Sequence, residues 1–75
     1  MTEEMIEIAA QTLKVPKEEV TNHYQDIPEI GATYFWDEKR GGLSVIVGED
    51  GSRLAATSAV SYEKHLDAYK AGKRN

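Results

Sequence analysis

The chain has no cysteine. Disulfides, four-cysteine zinc sites and thiol catalysis are therefore excluded as sources of stability or chemistry. Histidine is nearly as scarce, with only His23 and His65. Two such residues are too few for a dedicated site, so no metal or other cofactor is expected. There is one Phe, one Trp and two Pro. No apolar run approaches the roughly 20 residues that a membrane span requires. The opening MTEEMIEIAAQ has neither a basic start nor a long apolar stretch, so no secretion signal is expected. A cytoplasmic protein with no membrane partner is the resulting expectation.

What is present fits one small domain over residues 1–75. A chain of this size buries only about 60% of its unfolded surface, so its core is thin. With disulfides and metals set aside, a second subunit is the remaining reinforcement, and a homodimer is one expectation. Thirteen acids against nine bases give a net charge of −4. The imbalance is uneven: residues 1–38 hold nine acids and two lysines, whereas residues 39–75 hold seven bases and four acids. An acidic total argues against nucleic acid, whose affinity is largely electrostatic. The asymmetry suits a dipolar surface that orients a protein partner, or simply a solvated acidic helix.

Two helical signals frame the chain. Thr2 can cap a first helix, with Glu3 and Glu4 at its positive end and an apolar stripe through Met5, Ile6, Ala9, Ala10 and Leu13. Pro16 stops it and opens a short helical turn over residues 16–24. Residues 25–31, QDIPEIG, read as a connector punctuated by Pro28 and Gly31. Near the C-terminus, Ser61 is a good N-cap, Glu63 suits the first turn, and Tyr62, His65, Leu66 and Tyr69 form a stripe. Gly72 ends that helix.

Between them the hydrophobic period changes to two. Strands are expected over 32–38, 43–48 and 53–59, joined by Lys39-Arg40-Gly41-Gly42 and by a two-residue turn at Asp50-Gly51. That turn sets Val47 opposite Leu54 and Val45 opposite Ala56. The first turn then sets Trp36 opposite Val45 and Tyr34 opposite Val47. One face would carry Tyr34, Trp36, Leu43, Val45, Val47, Leu54 and Ala56 as the core. The other would carry Thr33, Phe35, Ser44, Ile46, Ala55 and Thr57. The expected fold is a two-layer α+β domain of order α-α-β-β-β-α, with both helices on one face of a three-stranded antiparallel meander. One helix on each face is the alternative.

Chemical motifs are few. Ser61-Tyr62-Glu63-Lys64 has the Ser-x-x-Lys spacing that lets an amine take a hydroxyl proton, but its companion elements are missing and capping explains Ser61. His65 lies two residues from Glu63 and from Asp67, which point to other helix faces, so it reads as a packing residue. His23, Asp26 and Glu29 would chelate a metal only if the connector folded back, and His23 otherwise suits a terminal carbonyl. Gly41-Gly42 can make an anion nest or a plain hairpin turn. No convergent catalytic set emerges, so no enzyme and no small-molecule substrate are expected.

The candidate interaction surface is the second sheet face: Phe35, Ile46 and Ala55 in a polar rim, with Lys39, Arg40 and Arg53 nearby. A helix followed by a meander ending Val-Gly-Glu-Asp-Gly-Ser-Arg-Leu over 47–54 resembles the small inhibitory PepSY-type modules of bacteria. The resemblance spans 5–57; the added C-terminal helix and the missing secretion signal depart from it, and it assigns no functional residue. A protein-interaction module is the expected role, either an inhibitor or immunity-type neutraliser or a self-associating protein. The alternative is a nucleic-acid-binding or regulatory module built on Phe35, Lys39 and Arg40.

Overall fold

A computed structural model describes residues 2–37, 42–57 and 59–75. Helix α1 spans Glu3–Leu13. The Thr2 hydroxyl accepts the Met5 N–H at 3.2 Å, so the cap expected there is made. The helix ends at Lys14, a non-glycine residue in the left-handed region with φ 59°. Pro16 then starts a single turn, α2, over Lys17–Val20. Lys17 reaches back to Glu3 at 2.6 Å and to Glu7 at 3.4 Å, tying the turn to the helix before it.

Four strands follow: β1 Tyr24–Ile27, β2 Ala32–Trp36, β3 Ser44–Gly48 and β4 Arg53–Ala56. They form one antiparallel sheet in chain order. The α+β class and the element order stand, with one strand added: β1 starts at Tyr24, the last residue of the expected helical turn, and runs into the expected connector, which also holds a 3₁₀ turn over Pro28–Ile30. Gly31, with φ 62°, completes the reversal into β2. Only Ile27 of β1 is buried, as suits an edge strand whose polar residues face water. On the far edge, Ala55 donates its N–H to Asn75 Oδ1 at 3.0 Å and accepts from Asn75 Nδ2 at 3.2 Å. The tail thereby covers part of the β4 edge.

The register differs from the expected one by a single residue in both hairpins. Phe35 faces Val45 and Tyr34 faces Ile46, while Val45 faces Ala55, Ile46 faces Leu54 and Val47 faces Arg53. The cause lies in the β3–β4 turn. A two-residue type I′ turn needs positive φ at both Asp50 and Gly51. Gly51 has φ 86°, but Asp50 does not adopt positive φ. The loop instead holds three residues, Glu49 to Gly51, closed by Gly48 N–H to Ser52 O at 2.8 Å. This turns β3 over relative to its neighbours.

The helices consequently cover both faces of the sheet rather than one. Helix α1 and α2 bury Met5, Ala9, Leu13 and Val20 against Phe35, Val45 and Val47. Helix α3, Tyr62–Lys70, packs Tyr69 and Leu66 on the opposite face against Ala32, Ile46, Tyr34 and Leu54. Its N-cap is Ser61, as expected, accepting the Lys64 N–H at 3.3 Å. Gly72 lies just beyond its end with φ 93°. Among the described residues, no helix is long and apolar enough to cross a membrane.

A polar chain locks the β3–β4 turn to α3. Tyr69 Oη lies 3.0 Å from Ser52 Oγ, which donates to Asp50 Oδ1 at 2.6 Å, and the Ser52 N–H donates to the same oxygen at 3.0 Å. These bonds, the hydroxyl's above all, hold the Asp50 carboxyl below its usual range. A depressed folded pKa gives stability that is present above the unfolded value of about 3.9 and lost as pH falls through the folded one. The stability advantage of the wild type over Asp50→Asn should therefore be full above about pH 4 and shrink progressively as pH falls further, through the lower folded value. Equal offsets at every pH would contradict this.

Candidate functional site

The four described residues of the expected interaction surface, Phe35, Ile46, Ala55 and Arg53, do not form one exposed patch. Phe35 is fully buried under α1, and Ile46 is fully buried under α3 on the opposite face. Ala55 is half-buried beside the α1 core. Arg53 shares the α1 face, donating to the Thr12 hydroxyl and to the Asn75 carbonyl. Lys39 and Arg40 lie outside the described residues, as does Gly41 of the expected anion nest. The reversal of β3 is the physical reason: it sends Ile46 away from Phe35, and the helices then close both faces.

The same reversal brings other residues to the surface. Helix α3 lies over β3 and β4, so the β1–β2 half of its face is less covered. There Tyr34 and Trp36, both expected in the core, are only half-buried. The rings form a connected cluster. Tyr34 sits 5.5 Å from Trp36 and meets Tyr62 of α3 edge-on at 4.8 Å and 82°. Trp36 also lies 5.6 Å from His23, which β1 brings opposite it. Between these rings opens a groove of about 440 Å³, within the roughly 300–1,000 Å³ typical of ligand sites. Gln25, Asp37, Ser44 and Ser61 add polar groups to its lining.

Asp37 is the only charged side chain among its described lining residues. The Tyr62 hydroxyl titrates above its ordinary value, chiefly because burial disfavours the phenolate, and secondarily because of the charge of Glu29 and of Tyr34. The positive end of α3 is offset by Ser61, whose hydroxyl accepts the Lys64 N–H, and by Glu63 in the first turn.

At the edge of the groove Ser44 Oγ lies 3.2 Å from His65 Nδ1. His65 Nε2 lies 2.5 Å from the Leu54 carbonyl, so Nε2 carries a proton and donates. This has the outline of a nucleophile with its base. Yet Ser44 is 3% exposed and His65 1%, which shuts a substrate carbonyl away from the hydroxyl. The arrangement instead satisfies two buried polar side chains and pins α3 to the sheet. His65→Leu should leave Ser44 and the Leu54 carbonyl short of partners and cost about 1–2 kcal/mol, read by urea denaturation. An unchanged midpoint would mean the network contributes nothing.

The remaining motifs stay apart. Ser61 is engaged as a cap, not as a nucleophile beside Lys64. Asp26 accepts the Thr33 hydroxyl at 3.0 Å. Among the described residues no group of three His, Asp or Glu side chains is placed to hold a metal ion, so His23, Asp26 and Glu29 are not brought together. No protein-family model, curated protein or solved structure matches this chain. The resemblance of residues 5–57 to PepSY-type modules accordingly gains no support and is carried no further.

Proposed function

We propose that this protein is a small non-catalytic binding module of the cytoplasm that engages another protein through the Tyr34–Trp36–Tyr62 groove. The observation that carries this reading is the placement of the chain's only Trp, half-buried in the wall of an aromatic groove beside Asp37. Partly exposed aromatics set in a polar rim are enriched at protein interfaces and serve as their anchors. A role as inhibitor or neutraliser suits its size and chemistry: a small body presents an aromatic groove, and among the described residues its lining holds no accessible nucleophile with a base. The lack of cysteine suits a reducing compartment.

The test is affinity capture with the wild type and with Tyr62→Leu, which keeps an apolar wall but removes the ring. A captured protein is then purified and titrated against Trp36 emission. Binding that shifts the emission and weakens in Tyr62→Leu supports the reading. Binding indifferent to Tyr62→Leu and silent at Trp36 overturns it. Sedimentation of both forms separates self-association, which the groove reading allows only if Tyr62→Leu also reduces it.

A further inference from the structure

Resting on the groove reading, we infer that the partner supplies an extended segment that joins the sheet beside β1. It pairs antiparallel with Tyr24 and Asp26 and lays an apolar side chain against the groove. The backbone pattern places the open positions. Trp36 donates its N–H to the His23 carbonyl at 3.3 Å, and along the same pair Gln25 lies opposite Tyr34 and Ile27 opposite Ala32. In an antiparallel pair the residues between such bonded positions turn their N–H and C=O away from the neighbour. Those residues are Tyr24 and Asp26. No other described segment hydrogen-bonds the backbone of either, and β1 is the end strand of the sheet. Tyr24, at 42%, is also the most exposed large apolar residue described.

The two edges of the sheet differ. On β4 the Asn75 amide bonds both the N–H and the C=O of Ala55, and the Asn75 N–H donates to the Arg53 carbonyl at 3.3 Å. That edge already holds what a neighbouring strand would supply. Among the described residues nothing comparable lies against β1, and an unpaired edge is a template for strand addition. The open edge is continuous with the groove. Gln25 lines the groove and shares the sheet face of Tyr34, its cross-strand neighbour. A partner residue set opposite Gln25 therefore projects on the groove side, toward the rings. Its two flanking residues project on the other face, one of them beside Tyr24. This sets the chemistry of the segment: extended, with an apolar residue opposite Gln25 and another opposite Tyr24.

A second copy of the chain fits the edge less well. The Asn22 N–H is given to the Glu19 carbonyl, and Pro28, which has no N–H, ends the strand. A copy would thus pair through Tyr24 and Asp26 alone, and two paired residues a side fall short of the roughly 1,200 Å² that stable interfaces bury. Paired about Gln25, it would bring only that amide to the groove. Paired about Asp26, it would set two carboxylates face to face.

The experiment titrates Trp36 emission of the whole chain with the peptide acetyl-Ser-Thr-Phe-Val-Ser-amide. Antiparallel to β1, its threonine lies opposite Asp26, its phenylalanine opposite Gln25 and its valine opposite Tyr24. The threonine and valine nitrogens then donate to β1, whereas the phenylalanine nitrogen faces away. The peptide should give a saturable change. N-methylation of threonine and valine together should weaken binding at least about tenfold. N-methylation of phenylalanine should leave it within about twofold. Serine in place of phenylalanine should weaken it about tenfold or more. In the protein, Asp26→Pro removes an outward N–H and should weaken binding, whereas Asp26→Ala keeps it and should not.

No saturable response, or any other order among the methylated peptides, overturns the strand addition. Binding that Tyr62→Leu weakens but methylation does not touch overturns it while leaving the groove reading in place. Self-association of the free chain that Asp26→Pro abolishes in sedimentation makes a second copy the occupant and overturns it too. Should Asp26→Pro disturb the thermal transition, the peptide series on the wild type still decides.

Discussion

Phe35→Ala should cost about 3–5 kcal/mol of folding stability, the range for emptying a fully buried aromatic site. The ring is wholly enclosed by α1, Val45 and Val47. For a chain of 75 residues, total stability is on the order of 4–11 kcal/mol, so the loss approaches unfolding. Phe35→Leu, which refills part of the volume, should cost clearly less and keep the variant measurable. Trp36→Ala should cost only about 1–2 kcal/mol, because a half-buried ring has less apolar burial to lose. Urea denaturation of the three variants reads the order directly. If Trp36→Ala proves the more damaging, the strand register is the other one, and Trp36 is a core residue.

The second large effect concerns Gly48, where β3 passes under α3. A Cβ at this position would lie 2.2 Å from the Tyr69 hydroxyl and 2.8 Å from Asp50 Oδ1. Tyr69 is itself buried and held by Ser52 and by the guanidinium of Arg74. It therefore has little room to withdraw. Gly48→Ala should destabilise by about 1–3 kcal/mol through overpacking. Tyr69→Phe removes the clashing oxygen, so Gly48→Ala should cost markedly less in that background. A double-mutant cycle measures the difference. Strict additivity of the two changes would show that α3 does not press on β3 at this point.

Much of the fold is legible in the residues, and the failures have identifiable causes. Caps at Thr2 and Ser61, the break at Pro16 and the stop at Gly72 are local, and local chemistry decides them. Strand β1 is not legible in this way. Tyr24-Gln25-Asp26-Ile27 has no alternation of apolar and polar residues, because an edge strand with one buried side chain needs none. The register is the instructive failure. Two hairpins that share β3 remain consistent with each other when β3 slips by one residue, so their agreement does not choose between registers. The deciding facts were the φ that Asp50 declines and the run Val45-Ile46-Val47, in which every residue is apolar. A strand covered on both faces reads that way, whereas one with an open face alternates.

The site moved with the register. Parity within β2 correctly sets Phe35 against Tyr34 and Trp36, but which side is core depends on β3. Once β3 turns over, Phe35 becomes core and its neighbours become the groove. The wall supplied by Tyr62 was beyond reach of the sequence, since it requires α3 to lie on the side of the sheet opposite α1. Its position near the start of α3 then places an aromatic ring against Tyr34 without enclosing Trp36.

The chain's single Trp makes the central claim directly measurable. Acrylamide quenching of Trp36 in the native wild type should reveal a partly accessible indole, with emission between those of buried and free tryptophan. That result fits an indole lining an open aromatic groove. Blue-shifted emission that resists quenching would place Trp36 in the core, and would contradict the register, the groove and the function built on them.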